Sequence, residues 1–102
     1  MIEITDYGKK SELGWSGHRF KVGDYEIDTD LIAGHWCPEG EDVYFTLPNE
    51  ERKFAYSYRT SDEVGAFISK RADELFKLGG YERSICYAQA EWEHLKTVLK
   101  LQ

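Results

Sequence analysis

No lysine or arginine occurs between Lys21 and Arg52, a gap of nearly a third of the 102-residue chain. Those two side chains supply the phosphate contacts of nucleic-acid binders, so this stretch is excluded as such a surface. Long apolar runs are missing too, and no segment reads as a membrane-spanning helix. Met1-Ile2-Glu3-Ile4 lacks the basic start, apolar block and small-residue cleavage site of a signal peptide, so the expected location is the cytoplasm. Cysteine is scarce, and Cys37 and Cys86 are expected as free thiols in that compartment. With no Cys-x-x-Cys or His-x-x-x-His spacing, a structural zinc site is not expected. Gly14-Trp15-Ser16-Gly17 is followed by neither Lys-Ser nor Lys-Thr, and reads as a bend at a strand entry rather than a phosphate loop. Repeats and low-complexity tracts are absent, which points to one domain over residues 1–102.

What fills the cation-free interval is acid. Asp24, Glu26, Asp28, Asp30, Glu39, Glu41, Asp42, Glu50 and Glu51 lie there, and the net charge is −6. The rest of the chain carries thirteen cations against ten acids, so the protein is acidic because of one segment. A basic partner is the natural complement of such a segment.

The pattern predicts an α+β fold: an antiparallel sheet of about four strands in the first two thirds, packed against a C-terminal helical hairpin. His18–Val22 and Tyr25–Asp28 alternate polar and apolar around Gly23-Asp24, a two-residue hairpin turn. Counting outward pairs Val22 with Tyr25, Lys21 with Glu26, Phe20 with Ile27 and Arg19 with Asp28. Apolar pairs then share one face and opposite charges the other, and a slip of one residue destroys both patterns. A second hairpin joins Val43–Leu47 to Lys53–Tyr58 through Pro48-Asn49, with Phe54, Tyr56 and Tyr58 expected on one face. Ile2 and Ile4 are expected to begin an edge strand. Thr60-Ser61-Asp62-Glu63 has the form of a capping box led by Thr60. Helical stripes follow through Val64, Phe67, Ile68, Ala72, Leu75 and Leu78, then Tyr81, Ile85, Ala88, Trp92, Leu95 and Leu99, with Gly79-Gly80 between them.

Chemistry-bearing motifs are few. The run from Asp24 has Thr29 and His35 where a calcium loop needs Gly and Glu. Arg19 and Lys21 are placed to neutralise Asp28 and Glu26, leaving free charge at Asp30, along Glu39–Asp42 and at Glu50-Glu51. Trp36 lies within the loop between these acids, as a hot-spot anchor in a charged surface does, or as a cover for the end of the core. Tyr44 alternates with Val43 and Phe45, which marks it as an exposed aromatic.

The reading is a small acidic binding or inhibitor protein, not an enzyme and without cofactor or metal. It blocks a basic protein partner, a nuclease or other nucleic-acid-handling protein, in the manner of a toxin immunity protein or a phage-encoded inhibitor. Its expected contact residues are Asp30, His35, Trp36, Glu39, Glu41, Asp42, Tyr44, Glu50 and Glu51. The alternative is a small enzyme or ligand-binding domain with a pocket between sheet and helices and His35, Cys37 or His18 at its mouth. A homodimer joined through an aromatic face is a third reading, and Trp15, Trp36 and Trp92 are open between core and contact.

Overall fold

A computed structural model describes residues 2–10, 17–32 and 39–101. Its elements run β1 (Asp6–Lys9), β2 (His18–Val22), β3 (Tyr25–Ile32), β4 (Gly40–Thr46), β5 (Lys53–Arg59), α1 (Glu63–Lys77) and α2 (Arg83–Leu99). The strands form one antiparallel sheet in the order β1-β2-β3-β4-β5, and the two helices form an antiparallel hairpin against it. The α+β architecture is therefore as the hydrophobic pattern predicts, with one strand more. No described helix is long and apolar enough to cross a membrane.

The β2–β3 register matches the count from the turn at all four pairs. Gly23 has φ +57° while Asp24 does not take a positive φ, which is the II′ form of a two-residue hairpin. The alternation then sends Phe20, Val22 and Ile27 inward, where they meet Val43, Phe45, Ile68, Leu75, Trp92 and Leu95. Burying such a side chain contributes roughly 1.5–3 kcal/mol, so this seam between sheet and helices holds the fold.

Four expectations need correction. Ile2 and Ile4 pack on the core but precede β1, and Glu3 ties this segment to α2 through its amide on Gln89 Oε1 (2.8 Å) and its carboxylate on the Trp92 indole N–H (2.6 Å). Phe54 does not share a face with Tyr56 and Tyr58. A bulge between Val43 and Tyr44 shifts the β4–β5 register and turns Phe54 to the other side, 58% exposed, opposite Tyr44. The N-cap of α1 is Asp62 rather than Thr60, because its carboxylate accepts from both Gly65 N and Arg59 N (2.8 Å each) and so closes the turn from β5. In the helical stripes, Phe67, Leu78 and Tyr81 are exposed. Trp92 is core, while Trp15 and Trp36 lie outside the described residues.

Candidate functional site

Both described helices pack on one face of the sheet, so the other is open among the described residues, and the two faces treat their acids differently. On the open face Asp28 and Asp30 of β3 point outward beside Asp42 and Tyr44 of β4. Arg52, at the end of the β4–β5 turn, bonds Asp28 Oδ2 at 2.7 Å and Asp30 Oδ2 at 3.2 Å, and its guanidinium lies 3.5 Å from the centre of the Tyr44 ring. Lys10 reaches the same two acids, at 3.2 Å and 2.5 Å. Its hydrogen bond, against slight burial and helped by Arg52, holds Asp30 below the usual carboxylate range. Phe54 and Tyr44 meet edge to face, with ring centres 5.6 Å apart and planes at 73°.

The charge expected to be free is therefore largely paired. Asp28 and Asp30 are held by Lys10 and Arg52, Glu26 by Arg19 (3.2 Å), Glu39 by Arg59 (2.6 Å) and Glu50 by Lys53 (2.9 Å). Arg19 faces Asp28 in register yet bonds Glu26, because the long side chain reaches diagonally. Asp24, Asp42 and Glu51 form no ion pair among the described residues. Asp42 also sits directly across from Asp30, a like-charge pairing that destabilises a sheet.

Glu41 departs furthest from the surface reading. It lies on the inner face with His18 and Tyr58, against Glu91 of α2. Two close backbone approaches set the strands there. Gly17 takes φ +92° with its position against Thr29, where a Cβ would come within 2.0 Å of the Thr29 carbonyl oxygen, and the next amide, His18 N, donates to Thr29 Oγ1 (3.1 Å). At Gly40 a Cβ would meet the Tyr58 carbonyl oxygen at 2.0 Å, so only glycine lets Glu41 enter at this depth.

Within the cluster His18 Nε2 is 2.5 Å from Glu91 Oε1, and His18 Nδ1 is 3.6 Å from Glu41 Oε1. Tyr58 Oη lies 2.6 Å from Glu41 Oε2 and 2.7 Å from Glu91 Oε2. A phenol has one proton to give, so it serves one carboxylate as donor and the other must be protonated to face it. Burial and the neighbouring Glu91 charge push Glu41 up to about 8, which makes it the protonated partner at neutral pH. Burial opposes ionisation of Glu91, which is 0% exposed, but the His18 charge and hydrogen bond override it and hold Glu91 low. Burial likewise opposes a charged His18, and Glu91, with help from Glu41, overrides it and lifts the imidazole to about 9. Burial followed by the Glu91 and Glu41 charges raises the Tyr58 phenol. Tyr56 Oη completes the arrangement by donating to the Glu91 backbone carbonyl at 2.8 Å.

Two clefts meet at this cluster. One, of about 290 Å³, is lined by Tyr7, His18, Glu41, Ser84 and Tyr87, and the other, of about 220 Å³, by Glu41, Tyr58, Ile68, Ser69 and Tyr87. Glu41 walls both.

Of the residues singled out from sequence, Asp30, Asp42 and Tyr44 come together on the open face, with Glu50 and Glu51 on the adjoining turn. Glu39 is at the far end of β4 with Arg59, and Glu41 is on the opposite face. His35, Trp36 and Cys37 lie outside the described residues, and Cys86 is a buried free thiol. The sequence reading missed Arg52, Tyr58 and Glu91. Glu91 was detectable: it lies three residues after Ala88 and four before Leu95, on the buried stripe of α2. No protein-family model matches the chain, and no curated protein or solved structure does either.

Proposed function

We propose that the chain is a small acidic binding protein that blocks a basic partner protein through the open face of its sheet, without catalysis. The observation that carries this reading is the Tyr44–Arg52–Phe54 platform. Two aromatic rings and a guanidinium are held in fixed geometry on a sheet face that no described helix covers. Tyr, Phe and Arg are the side chains enriched in protein interfaces, and rigid ones lose little entropy on contact. Asp28 and Asp30 both bond Arg52 where it lies over Tyr44, so the ion pairs on this face organise the aromatic surface rather than advertise charge. Attraction of a basic partner comes from the net charge of −6 and from Asp42, whose opposition to Asp30 a partner's cation relieves. A nuclease or another nucleic-acid-handling protein fits that description.

Affinity capture from a native lysate tests the reading with the intact chain and a Tyr44→Ser/Phe54→Ser variant side by side. The expected result is a basic protein retained by the first, lost with the second, and released as salt rises and screens the attraction. An acidic partner, or capture indifferent to the double substitution, overturns it.

A further inference from the structure

The inner cluster is not used by the binding face, and its composition is unusual for a fold-holding network. Two carboxylates are taken out of water under two helices, and no lysine or arginine among the described residues lies within ion-pair distance of either. One imidazole is the cationic partner of both, and one phenolic proton lies between them. Isolated buried carboxylates are costly unless charge and hydrogen bonds are both satisfied. Here satisfaction is incomplete, because Glu41 Oε1 is buried and has no hydrogen-bond partner among the described residues.

The geometry points to a binding site for a divalent first-row transition-metal ion at His18, Glu41 and Glu91. One ligand atom from each of the three lies within 4.8 Å of the other two, and the residues come from β2, β4 and α2, so the fold itself converges them. A dication matches two carboxylates and a neutral imidazole in charge, which protons alone achieve only in pairs. One nitrogen and two oxygens are a donor set for Zn²⁺, Mn²⁺ or Fe²⁺, and too few oxygens for Ca²⁺. Glu41 Oε1 supplies an acceptor that no hydrogen bond among the described residues uses. The clefts on either side of Glu41 provide an entry path and leave room for a water or small ligand on the ion. Tyr58, bonded to both carboxylates, and Tyr56, on the Glu91 carbonyl, act as positioning residues around the ion.

The site is independent of partner binding, and its test needs none. Chelator-treated full chain is titrated with Co²⁺, read by its visible ligand-field bands, and then with Zn²⁺ as competitor. The expected result is one Co²⁺ per chain, displaced by Zn²⁺. Ring-nitrogen resonances of His18 should shift with Zn²⁺ while those of His94 stay put. Glu41→Gln and His18→Gln should weaken binding by more than the roughly 10–100-fold that a supporting residue is worth. If either variant fails to fold, the His18 resonances of the intact chain decide alone. Binding of both ions weaker than about 1 mM by the folded chain, or tight binding that leaves His18 unmoved, overturns the proposal. So does affinity that survives in folded Glu41→Gln but is lost in Cys37→Ser, which would place the ion elsewhere.

Discussion

On the outer face of the sheet, Asp28 and Asp30 meet Lys10 and Arg52 at the edge of solvent, whereas on the inner face Glu41 and Glu91 share one phenol and one imidazole beneath two helices. All four acids belong to the same layered fold, and three of them come from the same acidic stretch of sequence. What separates those three is the parity of their strand positions. Asp28 and Asp30 alternate outward with Glu26, while Glu41 alternates inward with Val43 and Phe45. Outward, Asp28 and Asp30 are each held by two full cations, Lys10 and Arg52. Inward, charge is settled by sharing protons among fewer groups than there are acceptors. The outer face should therefore be tolerant of substitution and the inner face intolerant.

The largest expected effect is at Glu91. Glu91→Gln removes the charge that holds His18 and turns one of the two acceptor oxygens facing His18 and Tyr58 into an amide donor, and breaking a buried pair of this kind costs about 3–5 kcal/mol. Urea unfolding should show most of the fold's stability lost. A loss below about 1 kcal/mol, the scale of an exposed pair, would erase the contrast between the faces.

Alkaline pH should act on the inner face alone. In the metal-free protein His18 is raised to about 9 from its ordinary 6.5, so the stability it contributes is complete below 6.5 and is lost as pH rises through 9. Glu41, raised to about 8 from 4.5, works in the same direction: its contribution is complete below 4.5 and is lost as pH rises through 8. Glu91, held low, has the opposite sign and loses its contribution only on acidification below its ordinary 4.5. The urea midpoint should thus be highest in the mildly acidic range and fall by a few kcal/mol equivalent by pH 9. A flat profile from pH 5 to 9 contradicts the assignment of protons made here.

Arg52→Ala comes next. It frees two carboxylates and uncovers the Tyr44 ring, yet Lys10 remains on both acids, so the expected loss is about 1 kcal/mol. Thermal unfolding at low and high salt checks it, with the difference from the intact chain shrinking as salt rises.

These contrasts show how far the sequence could be read. The β2–β3 register was legible to the residue because turn chemistry and apolar face imposed it, although the ion pairs expected from it, Arg19 with Asp28 and Lys21 with Glu26, do not form among the described residues. The helical hairpin was legible from the spacing of Ile68, Ala72 and Leu75 and of Ala88, Trp92 and Leu95, which are all buried. Phe54 was misplaced because a bulge shifts a strand's parity without leaving a residue that announces it. Asp30 read as free because its cations, Lys10 and Arg52, are distant in sequence and meet it only in the folded sheet. The inner cluster draws on β2, β4, β5 and α2, and no local pattern connects His18 to a glutamate seventy-three residues away. Its local traces were the strand parity that puts His18 on the face of Phe20 and Val22 and the helical spacing that puts Glu91 between Ala88 and Leu95.

Asp42 offers the smallest effect and the sharpest test of the outer face. It lies directly across from Asp30, bears no ion pair among the described residues, and stands two residues before Tyr44, on the same outward side of β4 as that ring. A position kept only for stability should not hold a like charge there. Asp42→Asn keeps shape and hydrogen-bonding capacity while removing the repulsion, so it should stabilise the chain by a few tenths of a kcal/mol. If the open face receives a basic partner, the same substitution must also weaken capture of that partner and reduce its salt dependence. Stability and binding then move in opposite directions from one side chain, which no purely structural account of the face requires. Loss of stability in Asp42→Asn, or gain of stability with capture unchanged, removes Asp42 from the contact surface and leaves the aromatic platform as its sole support.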